Sequence, residues 1–251
     1  MANAAAVYDN LADDATISAS TQVLLTPVAN LQNPHIARKW RSTSTADYFV
    51  ADLLALTSID TVSVIGLTAT TIRIRISSVD SSGSAGDLYD SGVVAIDQDY
   101  LQYIAVLGAP VSGRYVRVDL ANSVEAYVEA GRAVIGLRTA YTYNFGFNWQ
   151  RAYVDPSIRT KTRGGQTQVS NENTYRTLDV TFEWVTVEQR NGFVETIDRV
   201  NGLKTDILFM TDTASTNMAR DSVWGLITDL TPVTQPFFDI YSKQYKIEER
   251  R

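Results

Sequence analysis

The 251-residue sequence predicts a mainly β protein, with a β-sandwich followed by a smaller sandwich that is flanked by one α-helix. Three observations lead to this prediction. Thr, Val, Ile, Tyr and Ser recur along the chain, and these residue types favour strands. Many segments alternate apolar and polar side chains with the period of two that is typical of strands. Only one segment, 187–201, has the spacing of an amphipathic helix.

Strand patterns between residues 59 and 141 predict the first sandwich. Thr70–Ser77 alternates most cleanly, with three isoleucines on one face and two arginines on the other, which indicates a sheet with one wet face. Further strand patterns are Ile59–Leu67, Leu101–Leu107, Gly113–Leu120 and Glu129–Tyr141. Many strands separated by turn-forming residues predict a sandwich or jelly roll.

The second half contains strands and the single predicted helix. Ala140–Trp149 has aromatic residues at alternate positions and is interpreted as a strand that leads out of the first domain. Thr177–Val187 is the clearest amphipathic strand, with Leu178, Val180, Phe182 and Trp184 on its apolar face. Two short core strands are predicted at Thr205–Met210 and Ser222–Thr228, and a terminal strand is predicted at Pro236–Glu249.

The predicted helix covers Val187–Asn201. Thr186 and Gln189 have the spacing of a capping box, and Gly202 suits the C-terminal end. Its predicted buried face consists of Phe193, Val194, Ile197 and Val200.

Residues 157–170 have the pattern of a polar hairpin with a two-residue turn at Gly164-Gly165. A hairpin with almost no apolar face is not stable alone in water. It is either a flexible loop or an arm ordered against another subunit, and we favour the arm because the strand alternation is otherwise hard to explain. Its expected oligomer contacts are Arg159, Lys161, Arg163, Gln166 and Gln168.

Composition and charge argue against several classes of function and site. The net charge is −6, and neither half of the chain has the basic excess of a nucleic-acid binder. The absence of cysteine excludes disulfides and thiolate metal sites. No run of about 18 apolar residues predicts a membrane span. Residues 1–14 lack the features of a signal peptide and are predicted to form a small mobile or partner-bound arm.

The segment 29–42 contains the only histidine, His35, and the cluster Arg38-Lys39-Trp40-Arg41. One interpretation packs Trp40 at the edge of the core with its charged neighbours in water. The other makes Trp40, Arg38, Arg41 and His35 a ligand-binding rim, in which the tryptophan stacks on an anionic glycan and the arginines contact it. We favour the first interpretation.

Catalytic and metal-binding patterns are weak. A single histidine leaves little room for a Ser-His-Asp arrangement, and we interpret His35 as a loop or rim residue. The candidate carboxylates of a glycosidase have no distinctive sequence context. Asp97 and Asp99 are candidate Ca²⁺ ligands, but their spacing is not that of an EF-hand loop. We therefore expect no enzyme activity, no cofactor and no metal.

The first half resembles the discoidin, or galactose-binding-like, jelly roll over roughly residues 15–140. The resemblance is carried by "ANLQNPHIARKWRS", "DYFVADLLALTSIDTVSVIGL", "GRYVRVDL" and "EAGRAVIGL", in that order. It implies that Trp40 packs near the mouth of the sandwich and that the loops there contact a partner, such as a sugar or a surface.

Residues 141–251 resemble the tail-tube and distal-tail domains of tailed bacteriophages. The residues that carry this likeness are "TLDVTFEWV", the helix "VEQRNGFVETIDRVN", "TDILFM" and the polar arm "IRTKTRGGQTQ". The family implies a helix-flanked sandwich that assembles as a ring, with an extended loop or hairpin reaching the neighbouring subunit. Phage tail proteins often carry a discoidin-like module.

Two functional hypotheses follow. In the first, the chain is a structural protein of a phage tail, located in the virion as a homo-oligomeric ring at the distal tail or tail tip. Its expected partners are the tail tube, the tail-tip hub and a host-surface glycan. In the second, it is a carbohydrate-binding adhesion protein that uses the N-terminal jelly roll. Neither hypothesis involves nucleic acid or membrane insertion.

Overall fold

The structure is a computed structural model that describes residues 2–251, and it is mainly β as the sequence predicts. Its strands are β1 (Ala5–Val7), β2 (Thr16–Ala19), β3 (Trp40–Arg41), β4 (Ala46–Ile65), β5 (Thr71–Ser77), β6 (Tyr89–Asp90), β7 (Val94–Ala95), β8 (Gln102–Ala121), β9 (Glu129–Ala130), β10 (Arg132–Gly136), β11 (Thr139–Ala140), β12 (Gln150–Val154), β13 (Ile158–Lys161), β14 (Thr167–Ser170), β15 (Tyr175–Val185), β16 (Ile207–Met210), β17 (Ser222–Asp229), β18 (Thr234–Phe237) and β19 (Ile240–Glu249). Helical segments are Val28–Gln32, Val187–Gln189, Arg190–Val194, Ile197–Asn201 and Met218–Asp221.

The chain folds into two units that are not simple halves of the sequence. Unit 1 contains the residues up to Ala140, Ile207–Ser222 and Arg251, and unit 2 contains Tyr141–Asp206 and Val223–Arg250. The sequence predicts that residues 207–222 belong to the second domain. The structure differs because β16 pairs antiparallel with β1, so the chain returns to unit 1 after residue 206.

Unit 1 is built on an antiparallel sheet in the order β10-β4-β8-β5-β6, with β2 also paired to β4 and β7 to β5. The predicted alternation of β5 is confirmed, because Ile72, Ile74 and Ile76 are buried in the core. The opposite side of the core is covered by the 28–32 turn, β3 and β9, which contribute Leu31, Trp40 and Ala130. Side chains from both sides therefore meet in one apolar layer, as in a β-sandwich.

The predicted N-terminal arm at residues 1–14 is wrong for most of its length. Residues Ala4–Val7 are buried, and β1 pairs with β11 on one side and β16 on the other. The side chain of Asp13 pairs with Arg132 at 2.7 Å. Small alanine side chains allow this close insertion, and both strand edges gain backbone partners, which an exposed arm would lack.

Unit 2 contains an antiparallel sheet in the order β17-β19-β15-β12, with β18 also paired to β19. Leu178, Val180 and Phe182 of β15 point into its core, as predicted. Trp184 does not, because the β15–β19 register shifts between Phe182 and Val185 and Val185 becomes the buried residue. A bulge of this kind moves the following side chain to the other face.

The helical region 187–201 begins with the predicted capping box. The Thr186 side chain accepts a hydrogen bond from the Gln189 backbone N–H, and the Gln189 side chain accepts one from the Thr186 backbone N–H. Two wide π-type turns, Arg190–Val194 and Ile197–Asn201, change the phase of the helix. As a result Val200 is 51% exposed, and its predicted place on the buried face is wrong.

The polar segment forms a hairpin in which β13 pairs with β14 in the register Arg159↔Val169. All residues of both strands are exposed. The turn has three residues between Thr162 and Gln166, and not two, because Thr162 N–H donates to Gln166 O and Gly165 takes a φ of +82°. This geometry is that of a turn closed by a glycine bulge. We call residues 157–170 the arm.

In the part of the chain that the structure describes, no helix is both long and apolar enough to cross a lipid bilayer.

Candidate functional site

Trp40 is completely buried in the core of unit 1. Its ring packs edge-to-face against Phe49 with the centroids 5.7 Å apart, and its Nε1–H donates to the Thr21 carbonyl at 3.1 Å. No face of the ring is available for a sugar. The packing interpretation of Trp40 therefore stands, and its proposed ligand-stacking role is wrong.

The neighbours of Trp40 form a charged cluster around Glu129. The pairing of β3 with β9 sets Arg41 opposite Glu129, and the Arg41 guanidinium lies 2.6 Å from the Glu129 carboxylate. The Lys39 ammonium approaches the same carboxylate at 3.2 Å. Burial acts to raise the pKa of Glu129, but hydrogen bonds from Arg41, Thr68 and Lys39 outweigh it and hold this pKa below its usual range.

This cluster is already satisfied by its own members. Arg41 also covers the ring of Tyr127, with its guanidinium carbon 4.1 Å from the ring centroid. These two contacts hold the Arg41 guanidinium in place, while its side chain remains 42% exposed. Arg41 therefore has a structural partner for its charge.

His35 and Arg38 lie exposed on the preceding loop. Their backbone groups hold a turn, since Arg38 N–H donates to the His35 carbonyl at 2.9 Å. Among the described residues, no ion pair joins either side chain to Glu129. The structure thus does not bring the four predicted rim residues together into one site.

A groove of about 310 Å³ lies on the outer face of the unit 1 sheet, where β4, β8 and β5 run side by side. The register places Tyr48, Asp119 and Arg73 in one row across these strands. Asp119 accepts from Arg75 at 2.7 Å and from Arg117 at 2.8 Å. The groove therefore offers fixed donors and acceptors of both charges.

Two edges of this groove are ordered by further contacts. The Arg117 guanidinium stacks over the Tyr48 ring, 3.4 Å from its centroid. Arg73 pairs with Asp90 at 2.5 Å, and this hydrogen bond lowers the pKa of Asp90 to about 2. The charges at the edge are thus paired at neutral pH.

The candidate calcium ligands Asp97 and Asp99 lie on an exposed loop, where Asp97 accepts from the Asp99 backbone at 3.0 Å. Within residues 2–251, no group of three or more His, Asp or Glu side chains is arranged to hold a metal ion.

The arm presents different chemistry on its two faces. Directly paired residues of antiparallel strands lie on the same face. Arg159, Lys161, Thr167 and Val169 therefore share one face, and Ile158, Thr160, Gln168 and Ser170 share the other. Arg163 and Gln166 lie in the turn and just after it. The cationic residues are exposed, and none of them forms an ion pair among the described residues.

A second groove, of about 520 Å³, lies in unit 2 and was not identified from the sequence. We call it the aromatic groove and define it by Phe145, Phe147, Trp149, Glu183 and Trp184. The alternation of aromatics in Ala140–Trp149 predicts a strand that leads out of the first domain, but no strand lies between Ala140 and Gln150, and only Tyr141 of the alternating aromatics is buried. The rest form a loop whose Gly146 N–H donates to the Thr181 carbonyl of β15 at 3.0 Å.

No protein-family model matches the chain, and no curated protein matches it. Among solved structures, the family 32 CBM of Clostridium perfringens NanJ, in complex with galactose, has a TM-score of 0.43 and 9% identity, covering 54% of this chain and 99% of that one. The Ruminococcus gnavus GH29 fucosidase, in complex with fucose, has a TM-score of 0.45 and 14% identity, covering 52% of this chain and 27% of that one. A Streptococcus pneumoniae fucose-binding module has a TM-score of 0.40 and 13% identity, covering 54% and 99%.

Proposed function

We propose that the chain is a structural subunit of a bacteriophage tail, at the distal tail or tail-tip ring, which assembles with further copies through unit 2. The observation that carries this proposal is the arm. It is a hairpin of two paired strands whose residues are all exposed, so it has no core of its own. An isolated two-stranded hairpin is marginally stable at best in water.

The arm therefore needs a second surface to hold its conformation. Its cations and its open strand edges suit contact with another protein chain. A subunit that lends such an arm to an identical neighbour builds a ring when the rotation between copies closes. The phage-tail assignment is supported by the resemblance of the helix-flanked unit and its arm to that family. The tail tube and tail-tip hub are then its neighbours in the virion.

The oligomeric state of the full chain tests this proposal. Light scattering coupled to size exclusion, followed by negative-stain microscopy, is expected to give a defined oligomer of ring shape. Reversing the arm charges, by Arg159→Glu, Lys161→Glu and Arg163→Glu together, is expected to shift the chain towards monomer. A monomer at every concentration, or absence of the protein from purified phage particles, would overturn the proposal.

A second candidate function is carbohydrate binding by unit 1, as in an adhesion protein. The observation that favours it is the groove on the β4–β8–β5 face, where Asp119 and the partly exposed Arg73 lie in one row with Tyr48, whose ring is stacked by the Arg117 guanidinium. Sugars combine apolar ring faces with hydroxyl donors and acceptors, which such a row can contact. The two functions are compatible in one tail protein that also touches a host-surface glycan.

Glycan-array binding of the full chain tests the second function. Arg73→Ala is expected to weaken binding, whereas Arg38→Ala, an exposed cation of the loop that contains His35, serves as the control. Trp40→Ala is unsuitable, because that side chain is buried. Binding that is equal in the Arg73 and Arg38 variants, or no binding to any glycan, would argue against this groove.

A further inference from the structure

The aromatic groove places three exposed aromatic side chains of unit 2 around one depression. Phe147 is fully exposed, and Trp149 and Trp184 are 38% and 49% exposed. Soluble proteins rarely leave tryptophans clustered in water, and such clusters mark interaction surfaces. Tryptophan and other aromatic residues also dominate the energetic centres of protein interfaces.

Three of the four rings that define the groove are held by contacts with other aromatic rings. Phe145 packs edge-to-face on Trp149 with the centroids 5.5 Å apart. Trp184 stacks on Phe237, with the centroids 6.4 Å apart and the planes 15° from parallel. An ordered aromatic surface loses little conformational entropy on binding, which favours a specific contact.

The charge distribution of unit 2 favours a basic occupant for the groove. Residues 157–170 contain three basic residues and no acidic one, whereas the remainder of unit 2 contains twelve acidic and eight basic residues. One of these acids, Glu183, lines the groove beside Trp184 and is exposed. A guanidinium can stack on an indole and pair with a carboxylate at the same time.

We propose that the aromatic groove of one copy receives the arm of a second copy of this chain. Glu183 pairs with a cation on the arm face that carries Arg159 and Lys161. Trp149 and Trp184 pack against the aliphatic and guanidinium parts of Arg159 or of Arg163 in the turn. This inference rests on the proposed self-assembly and names the surface that accepts the arm. The contact joins two different surfaces, so it is head-to-tail and each copy both gives and receives an arm.

Variants in the groove test this contact in the full chain by light scattering and sedimentation velocity. Phe147→Ser and Glu183→Lys both change exposed side chains and are expected to leave the fold intact. Each is expected to weaken association by roughly tenfold or more, as loss of an interface centre does. The matched control is Phe238→Ser, which removes an 88%-exposed aromatic outside the groove and is expected to leave association unchanged.

A charge exchange between the groove and the arm distinguishes loss of their contact from a folding defect. Glu183→Arg is expected to weaken association, and combining it with Arg159→Glu and Arg163→Glu is expected to restore association at least in part. A photo-cross-linker at position 163 is expected to react with peptides that contain residues 145–149 or 183–184 of another copy. Mixing isotope-labelled with unlabelled chains separates cross-links between copies from those within one.

The outcomes separate this inference from the proposed function. If the chain assembles, and the arm variant disrupts assembly while the groove variants do not, the groove inference is overturned and the proposed function stands. Cross-links confined to one chain would also overturn the inference. A chain that is monomeric in every variant overturns both. Loss of association in both sets, rescue by charge exchange and cross-links between copies would support the inference.

Discussion

The Arg176 guanidinium is completely buried against the carboxylate of Glu249, with Nε and Nη2 donating to Oε1 at 2.9 and 2.5 Å. The backbone N–H of Arg176 donates to the second oxygen of the same carboxylate at 2.9 Å. This pair joins the start of β15 to the end of β19 within unit 2. Side chain and backbone together thus fix one end of the strand pair.

Glu249→Ala is expected to destabilise unit 2 by about 3–5 kcal/mol, because it removes the carboxylate partner from a buried ion pair. Denaturant unfolding followed by tryptophan fluorescence measures the change. Glu248→Ala is the matched control, since Glu248 is the adjacent residue and is exposed. Equal unfolding midpoints for the two variants would contradict a stabilising role for the buried pair.

Trp40→Ala is expected to destabilise unit 1 by about 3–5 kcal/mol, the range for removing a large aromatic from a core. The reason is its complete burial and its packing on Phe49. The comparison is Trp184→Ala, in which a half-exposed ring is removed from unit 2 and the expected loss is smaller. Thermal unfolding of the monomeric arm variant would measure both without interference from assembly. A larger loss for Trp184→Ala would refute the assignment.

Gly225→Ala is expected to destabilise unit 2 by at least about 1–3 kcal/mol through overpacking. A Cβ at Gly225 would lie 1.9 Å from the Glu248 carbonyl oxygen, so the backbones of β17 and β19 would have to separate. Gly164→Ala is the control, because a Cβ there meets no atom within 4 Å. Unfolding midpoints measured in urea check the difference, and a neutral Gly225→Ala would show that the two strands are not so closely paired.

Acid is expected to weaken unit 1 in part through Glu129. Because the folded-state pKa of this carboxyl lies below its ordinary value of 4.5, its ion pairs stabilise the fold above that pH. The contribution is lost as the pH falls through the lowered folded-state pKa. Glu129→Gln is expected to be less stable than the wild type at pH 7 and to approach it in acid. Urea unfolding at pH 7 and in steps below pH 4.5 tests this, and parallel curves for the two proteins would contradict it.

Local patterns predicted the local elements well. The alternation of β5, the apolar face of β15 as far as Phe182 and the capping box at Thr186 all depend on neighbouring residues, and the structure confirms them. These elements can be predicted from the sequence because the strand and helix periods repeat within a few residues.

Features that depend on distant pairing were not predictable in the same way. The partner of Arg41 is Glu129, 88 positions away, and only the β3–β9 register brings them together. The bulge after Phe182 exposes Trp184, and no residue type near this position predicts a bulge. The burial of Ala4–Val7 likewise depends on β16, which lies about 200 residues later in the chain.

The return of the chain to unit 1 after residue 206 constrains its synthesis. Strand β1 is synthesised before β16, its partner on one edge, and β16 follows only after residues 141–206 have been made. The hydrogen bonds of β1 are therefore complete only after β16, about 200 residues later in the chain, has been synthesised. Fragments cut at residue 140 would expose an unpaired edge of alanines and valine, and such an edge invites aggregation.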